Sequence, residues 1–421
     1  MLDINTIRNE RERVEEGMKA KGEDSSIVAG LIECDTEWRE SVTLLEEQRA
    51  AANRTAKEIG EFMKAGRKEE AQKAIDASAR SKEQLKELEV KIDGLATRRE
   101  EMLLRIPNLP HESVPLGSSE KDNVVHRTWG EPEEMNWRRP HWELAEENGW
   151  IDFERGSKVA GAGFPFYLGT LARLQRSLIN FFINEAADKG YTEIQPPYFV
   201  NEASARGTGQ IPDKEDMMYV IPRDGFYAIP TAEVPVTNFL RDEILPEEEL
   251  PVRYVAYTPC WRREAGSYGQ EVRGLNRLHQ FDKVELVKVV HPDDSGNELE
   301  KLCGDAEELL RKLNLPYRTL LMCTGDMGFT QSKKYDLEVW SPGQQRWLEV
   351  SSCSNFTDYQ ARRMKLRFRN SEGKTEMAHT LNGSGLALPR VVAAILETYQ
   401  QKDGSVAVPS VLQPYMGCET V

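Results

Sequence analysis

Cysteine and histidine are scarce in this chain, with six of each in 421 residues. Cys34, Cys260, Cys303, Cys323, Cys353 and Cys418 form no C-x-x-C pair, and no zinc-ligand spacing appears. Isolated thiols in a chain of this length fit a reducing compartment, so the expected location is the cytoplasm. Long apolar runs are missing too. Nothing approaches the roughly 18 apolar residues of a membrane helix, and the opening MLDINTIRNERER lacks the apolar core of a secretory leader. No P-loop G-x-x-x-x-G-K-[ST] string occurs. Positive charge is in deficit: 55 Lys and Arg stand against 70 Asp and Glu, a formal net charge of −15. That balance argues weakly against nucleic acid as a partner, although a total charge says little about any one surface.

Proline is absent before Pro107, and aromatics are almost absent from 28 to 106. Over the whole chain, a mean hydropathy of −0.59 and 30% charged residues read as a soluble protein, and in 28–106 Glu, Lys, Arg, Ala, Gln and Leu dominate. Long helices remain. Asp3 is a plausible N-cap for a short first helix whose apolar stripe is Ile4, Ile7, Val14 and Met18, and Gly22 breaks the pattern. Ser25 and Ser26 can cap the next helix. Leu31, Trp38, Val42, Leu45, Ala52, Ala56, Ile59 and Met63 then recur at steps of seven, four and three. A second run is Ala71, Ile75, Leu85, Leu88, Ile92, Leu95, Met102 and Ile106. With Lys64-Ala65-Gly66-Arg67 as a tight turn, the pattern predicts an antiparallel coiled-coil hairpin over about 28–106, reaching on the order of 50 Å. Arg49, Ser78 and Arg99 fall on or near its seam. From Arg49 to Lys73 the arm carries seven cations (Arg49, Arg54, Lys57, Lys64, Arg67, Lys68, Lys73) and four carboxylates. Such a tip can contact phosphates. It can equally be a solvated face with i,i+4 pairs, or a protein-binding device.

Pro107, Pro110 and Pro115 mark a linker over 107–117, giving an N-terminal domain 1–106 and a second domain 118–421. The second reads as α+β. Leu168 to Asp188 has a helical apolar face, and Tyr191 to Val200 reads as a strand containing Pro196. Tyr257 to Ser267, then Arg273 to Glu285, reads as strand, loop, strand. Around it cluster Arg262, Arg263, Glu264, Arg273, Arg277, His279 and Glu285. Fixed cations suit polyphosphates, and carboxylates suit amines or metal, although a hairpin laced with salt bridges would look the same. Asn382-Gly-Ser-Gly-Leu-Ala-Leu-Pro-Arg390 precedes an apolar helix, where glycines and a first-turn Arg suit an anion or merely mark a turn.

Together these segments resemble the three signature motifs of class II aminoacyl-tRNA synthetases. Trp261-Arg262-Arg263-Glu264 matches the second motif and Gly383 to Arg390 the third. The class I strings H-x-G-H and K-M-S-K-S are absent. Within the class the chain resembles the seryl-tRNA synthetases, through Thr231-Ala232-Glu233, Arg262 to Ser267, His279 to Glu285, Glu349-Val350-Ser351-Ser352, Asn382 to Gly385 and the N-terminal hairpin. Trp261 stands where Phe is usual and Pro389 where Gly is frequent.

The resemblance implies an antiparallel sheet flanked by helices. It implies activation of L-serine with ATP and Mg²⁺ and transfer to tRNA(Ser), leaving open whether tRNA(Sec) is also charged. Arg262, Glu264 and Arg390 would be catalytic: Arg262 bridges the α-phosphate and the serine carboxylate, Glu264 meets the adenine amino edge, and Arg390 with Arg277 holds the γ-phosphate. Phe281 would stack on adenine, with Arg263, Leu278, Val350 and Ser351 also in the ATP site. Glu349 and Ser352 would hold Mg²⁺. Thr231 and Glu233 would take the serine ammonium, with Ala232 between them in the serine site, and Glu285 and Ser384 would take the hydroxyl. The arm would bind tRNA across a homodimer whose interface includes 168–200. Two other readings predict different sequences. A carrier-protein ligase on the same fold lacks the arm, and a non-catalytic coiled-coil scaffold would have lost some of these charged residues.

Overall fold

A computed structural model describes residues 1–133, 137–213, 216–263 and 273–421. Two compact units emerge: Met1–Lys19 with Glu23–Pro107, and Ala20–Gly22 with Asn108–Val421.

In the first unit the expected opening helix is split into α1 (Ile4–Asn9) and α2 (Arg11–Ala20). The Asp3 carboxylate accepts from the Asn5 amide, capping α1, and Ile7, Val14 and Met18 are buried. The long hairpin is present as α3 (Ser26–Lys64) and α4 (Lys68–Leu104). Ser25 holds the N-cap position of α3 without a side-chain cap bond, and the Asp24 carboxylate ahead of it accepts from the Ser26 amide at 2.9 Å. Gly66 turns the tip at φ 71°, a left-handed conformation that suits glycine. Helices of 39 and 37 residues give an arm of about 55 Å. Leu31, Leu45, Ala71 and Leu95 are buried along the seam, but Met63 and Ile75 near the tip are exposed. Arg99 is no defect. Its guanidinium donates to the buried Asp35 at 2.7 Å, Arg8 grips the same carboxylate at 2.7 Å, and Arg99 lies over Trp38.

The second unit is built on an eight-stranded sheet of β1 (Val124–Trp129), β2 (Thr192–Glu193), β3 (Val252–Trp261), β4 (Gln280–Val290), β5 (Tyr317–Leu321), β6 (Lys333–Ser341), β7 (Arg346–Asn355) and β8 (His379–Ala387). The order is β1-β5-β6-β7-β8-β4-β3-β2, antiparallel except for the terminal β3–β2 pair. The expected strand over 191–200 is interrupted. Only Thr192–Glu193 and Phe199–Asn201 are extended and paired, because Pro196 and Pro197 offer no N–H to a ladder. Helices α5 (His141–Glu147), α6 (Gly169–Asp188), α7 (Ser295–Lys312) and α8 (Leu388–Thr398) accompany the sheet. The last three bury Leu171, Phe182, Leu302, Leu310, Val392 and Ile395 in one core. Residues 108–117 are tied down by backbone bonds such as Asn108 N–H to Phe329 O, at 3.0 Å, and His111 N–H to Ser332 O, at 2.8 Å.

Period-two alternation decides which face each residue serves. On β4, Val284, Leu286 and Val290 enter the helix-covered core, while Phe281, Lys283 and Glu285 line a cavity. On β8, Asn382 and Ser384 face the same cavity. Gly383 and Gly385 face the opposite way, and they lie inside a strand rather than in the turn expected before α8. A Cβ at Gly383 would meet Cys353 Sγ at 2.9 Å and Leu302 of α7 at 3.2 Å. Gly383 thus lets a helix approach the sheet, and a Cβ at Gly385 would meet Leu286 of β4 at 3.1 Å.

Candidate active site

The cavity has a volume of about 600 Å³ and is lined from β4, β6, β7, β8 and the start of α8, together with Thr231, Arg262 and residues 275–278. Thr231, Glu233, Lys283, Glu285, Asn382 and Ser384 form a buried polar cluster in it. The Asn382 amide nitrogen donates to Glu233 and to Glu285 at 2.9 Å each. Gln360 donates to the other oxygen of Glu233 at 2.6 Å. Lys283 bridges the Thr231 hydroxyl at 2.7 Å and Glu285 at 2.6 Å, and Ser384 lies 3.4 Å from Glu285. Desolvation and the neighbouring Glu285 charge push the Glu233 carboxyl up to about 7. An acidic pair held by amides and one ammonium offers acceptors that a small ligand with its own cation and hydroxyl could use.

A second cluster is cationic. Arg390, in the first turn of α8, donates to the Glu349 carbonyl at 2.8 Å and to the Asn276 carbonyl at 3.1 Å. Arg277, Leu278 and Phe281 line the wall beside it. Arg262 lies over the Phe281 ring at 5.3 Å and donates to the Pro230 carbonyl at 3.2 Å. Its charge acts on Glu233 and on Glu349 alike, so it stands between the two clusters.

Glu349 and Ser352 are three apart on β7, a spacing that alternation alone would put on opposite faces. The ladder shifts register between Leu337 and Glu338, and this bulge brings them together, Ser352 donating to Glu349 at 3.2 Å. Desolvation would raise the Glu349 carboxyl, but Arg390, Lys334 and Arg262 outweigh it and hold the group below the usual range. Behind them burial lifts Asp336 to about 6, despite Lys334 at 3.0 Å. Among the described residues no three His, Cys, Asp or Glu side chains are grouped to hold a metal.

Not every expected residue joins the cavity. Val350 and Ser351 line it, Ser351 bonding to the Ser384 carbonyl at 2.6 Å. Ala232 packs beneath it with Val236, Ala256 and Val287. Arg263 turns outward to Asp216 at 3.3 Å and to the Tyr219 ring. Glu264 lies outside the described residues. Lys283, Asn382, Gln360 and Asn276 were not expected. Lys283 could have been found from its place two residues before Glu285 on a strand; Gln360 carries no such signal. In the arm, Arg54, Lys57, Lys64, Lys68 and Lys73 are exposed, Arg49 pairs with Glu89 at 2.7 Å, and Arg67 pairs with Glu70. No helix among the described residues is long and apolar enough to cross a membrane.

Family models match two stretches: the seryl-tRNA synthetase N-terminal domain over residues 1–110, and the tRNA synthetase class II core domain (G, H, P, S and T) over 219–399. The chain is 57% identical to a serine–tRNA ligase of Salinibacter ruber over 99% of this chain and 98% of the relative. It is 51% identical to that of Pelotomaculum thermopropionicum over 99% of each. Among solved structures, the seryl-tRNA synthetase of Pyrococcus horikoshii complexed with ATP matches with a TM-score of 0.94 at 37% identity, over 100% of this chain and 99% of that one. The cytoplasmic serine–tRNA ligase of Naegleria fowleri with AMP matches with a TM-score of 0.88 at 30% identity, over 100% and 98%. A buried acidic pair beside a cationic wall, on this sheet and in a chain with this hairpin, therefore has a known lineage: the chain belongs to the seryl-tRNA synthetases.

Proposed function

We propose that this chain activates L-serine with ATP and passes the seryl group to tRNA(Ser), using the two clusters as adjoining subsites. A serine carboxylate oxygen attacks the α-phosphorus of ATP, and pyrophosphate leaves with the electrons of the broken P–O bond. A hydroxyl of the terminal tRNA adenosine then attacks the seryl carbonyl, its proton is lost, and AMP leaves. No covalent enzyme intermediate is required, so positioning and charge stabilisation carry the catalysis. Arg262 bridges carboxylate and α-phosphate, a task its planar fork suits. Arg277 and Arg390 hold the distal phosphates, and Phe281 supports adenine. Glu233 and Thr231 receive the ammonium; Glu285 and Ser384 receive the hydroxyl. A pocket that hydrogen-bonds a hydroxyl rejects alanine strongly, whereas one extra methyl, as in threonine, is worth only about 1–3 kcal/mol.

The oxygens of Glu349 and Ser352, 3.2 Å apart, fit a hard cation that takes its remaining ligands from phosphate and water, as Mg²⁺ does. Mg²⁺ there would neutralise phosphate charge. Glu349 is kept ionised for that purpose by its cationic neighbours. The exposed cations of the distal arm support tRNA binding through phosphates, and locally they offset the acidic total. Pairing of two copies along 168–200 is supported by an open groove of about 520 Å³ that includes Gln175, Ile179, Ile183, Tyr198 and Asp282. In it the buried Tyr167 hydroxyl and Gln175 Oε1 find no hydrogen-bond partner among the described residues.

The observation that carries the reading is Asn382 linking Glu233 to Glu285 within reach of Arg262. The test is aminoacylation of total tRNA with labelled serine, alanine and threonine, adding a tRNA(Sec) transcript as a separate acceptor. Serine-only incorporation is expected. Serine activation without transfer to any tRNA would favour the carrier-protein ligase, and neither activity would favour the scaffold.

A further inference from the structure

Outside both clusters, a fully buried His–Glu pair reaches the nucleotide wall. His141 of α5 and Glu397 of α8 are each 0% exposed. Leu275 N–H points at His141 Nε2 at 2.9 Å. A backbone N–H is always a donor, so Nε2 must be the unprotonated nitrogen. The proton is then on Nδ1, which donates to Glu397 Oε1 at 2.9 Å. The carboxylate fixes the tautomer, and the tautomer supplies the acceptor. Glu397 is itself held by the His141 N–H at 3.0 Å, Gly343 N–H at 3.1 Å, Gln344 at 3.0 Å and the Ser341 hydroxyl. Gln344 also accepts from the Asn276 amide at 2.8 Å, and the Asn276 carbonyl accepts from Arg390. Gly274 has φ +67°, and a Cβ there would meet His141 Nε2 at 2.3 Å, so the segment lies directly on the imidazole.

We infer that His141 is a positioning residue for the nucleotide subsite: through the Leu275 N–H it fixes the segment Leu275–Leu278, which carries Arg277 and receives Arg390. None of its partners belongs to the cluster around Glu233 and Glu285, so its influence falls on ATP and not on serine. The inference rests on the nucleotide lying along Arg277 and Arg390, as proposed above.

Two substitutions separate the two ring nitrogens. His141→Asn keeps a donor near the position of Nδ1 for Glu397 and removes the acceptor. His141→Gln places an amide oxygen near Nε2 and gives up the donor. In serine-dependent pyrophosphate exchange by the full chain, His141→Asn should raise the KM for ATP about tenfold, leaving the KM for serine within about twofold. His141→Gln should restore most of that loss. Equal effects of the two variants, or equal rises in both KM values, would overturn the inference. Arg390→Ala is the companion measurement. If it raises the KM for ATP while His141→Asn does not, the positioning role fails and the nucleotide placement stands. If neither variant moves that KM, both fail.

Discussion

Lys283 and Glu285 meet at 2.6 Å because they lie two residues apart on β4 and so share its cavity face. Lys283 also reaches Thr231, joining a strand in mid-sheet to the segment ahead of the short helix Glu233–Asn238. Removing one member of a buried ion pair leaves the other uncompensated. Lys283→Met should therefore raise the KM for serine by about tenfold or more and leave that for ATP nearly unchanged. Steady-state pyrophosphate exchange separates the two, and a matching rise for ATP would refute a role confined to the amino-acid subsite.

Glu233 gives a pH signature. Its carboxyl is raised to about 7, well above an ordinary glutamate at about 4.3. Across that window the unfolded chain ionises first, so this group's contribution to stability is greatest at low pH. It falls as pH rises from about 4.3 to about 7, by up to about 4 kcal/mol in all. A bound ammonium favours the ionised carboxylate, so serine binding near pH 6.5 should release protons. Calorimetry in buffers of different ionisation enthalpy should detect the release in the wild type and a much smaller one in Glu233→Gln. Equal release from both would assign it elsewhere.

Arg262→Ala should lower serine-dependent pyrophosphate exchange by about two to three orders of magnitude without changing the thermal midpoint appreciably. Arg262→Lys should recover little, because a point charge lacks the bidentate fork. Near-normal exchange in the alanine variant would remove Arg262 from the phosphate-transfer step.

Replacing residues 46–86 by a short turn leaves Asp35, Arg8 and Arg99 in place. Serine activation should stay within about twofold of the full chain, while tRNA charging falls by about two orders of magnitude. Charge reversal at Lys57, Lys64, Lys68 and Lys73 should weaken charging and flatten its dependence on salt. Full charging after the excision would mean that the arm is not the tRNA-binding element.

Asp35 anchors two arginines at the arm's base. Burial alone would raise its carboxyl, but Arg8 and Arg99 outweigh that and hold it below the usual range. Its stabilisation is therefore present above the ordinary aspartate value and is lost as pH falls through the lower folded one. Asp35→Ala should cost about 3 kcal/mol in denaturant unfolding of the N-terminal unit. A change under about 0.5 kcal/mol would show the cluster to be an ordinary surface pair.

The hairpin was legible in the sequence because its evidence is local. Leu31, Leu45 and Leu95 recur at heptad spacing, Gly66 marks the turn, and proline is absent until Pro107. The strings around Thr231, Arg262, Glu285, Glu349 and Arg390 were legible through resemblance, and the cavity gathers all five. Other features depend on pairings between distant segments. The bulge opposite Leu337 and Glu338 sets Glu349 beside Ser352, and no periodicity along β7 alone predicts it. Gly383 reads as part of a turn in the sequence, yet in the fold α7 presses on it through Leu302. Arg263 belongs to the same motif as Arg262 but points the other way, toward Asp216 and the Tyr219 ring. Asp35 reads as one more charge on a charged helix, and only folding surrounds it with two arginines. The sequence by itself determined the long hairpin, the family and most of the residues that line the cavity. The tertiary structure alone decided which of those residues share a face, which carboxyls are lifted or held down, and how a buried histidine reaches the cationic wall of the cavity, because each depends on contacts between segments far apart in the chain.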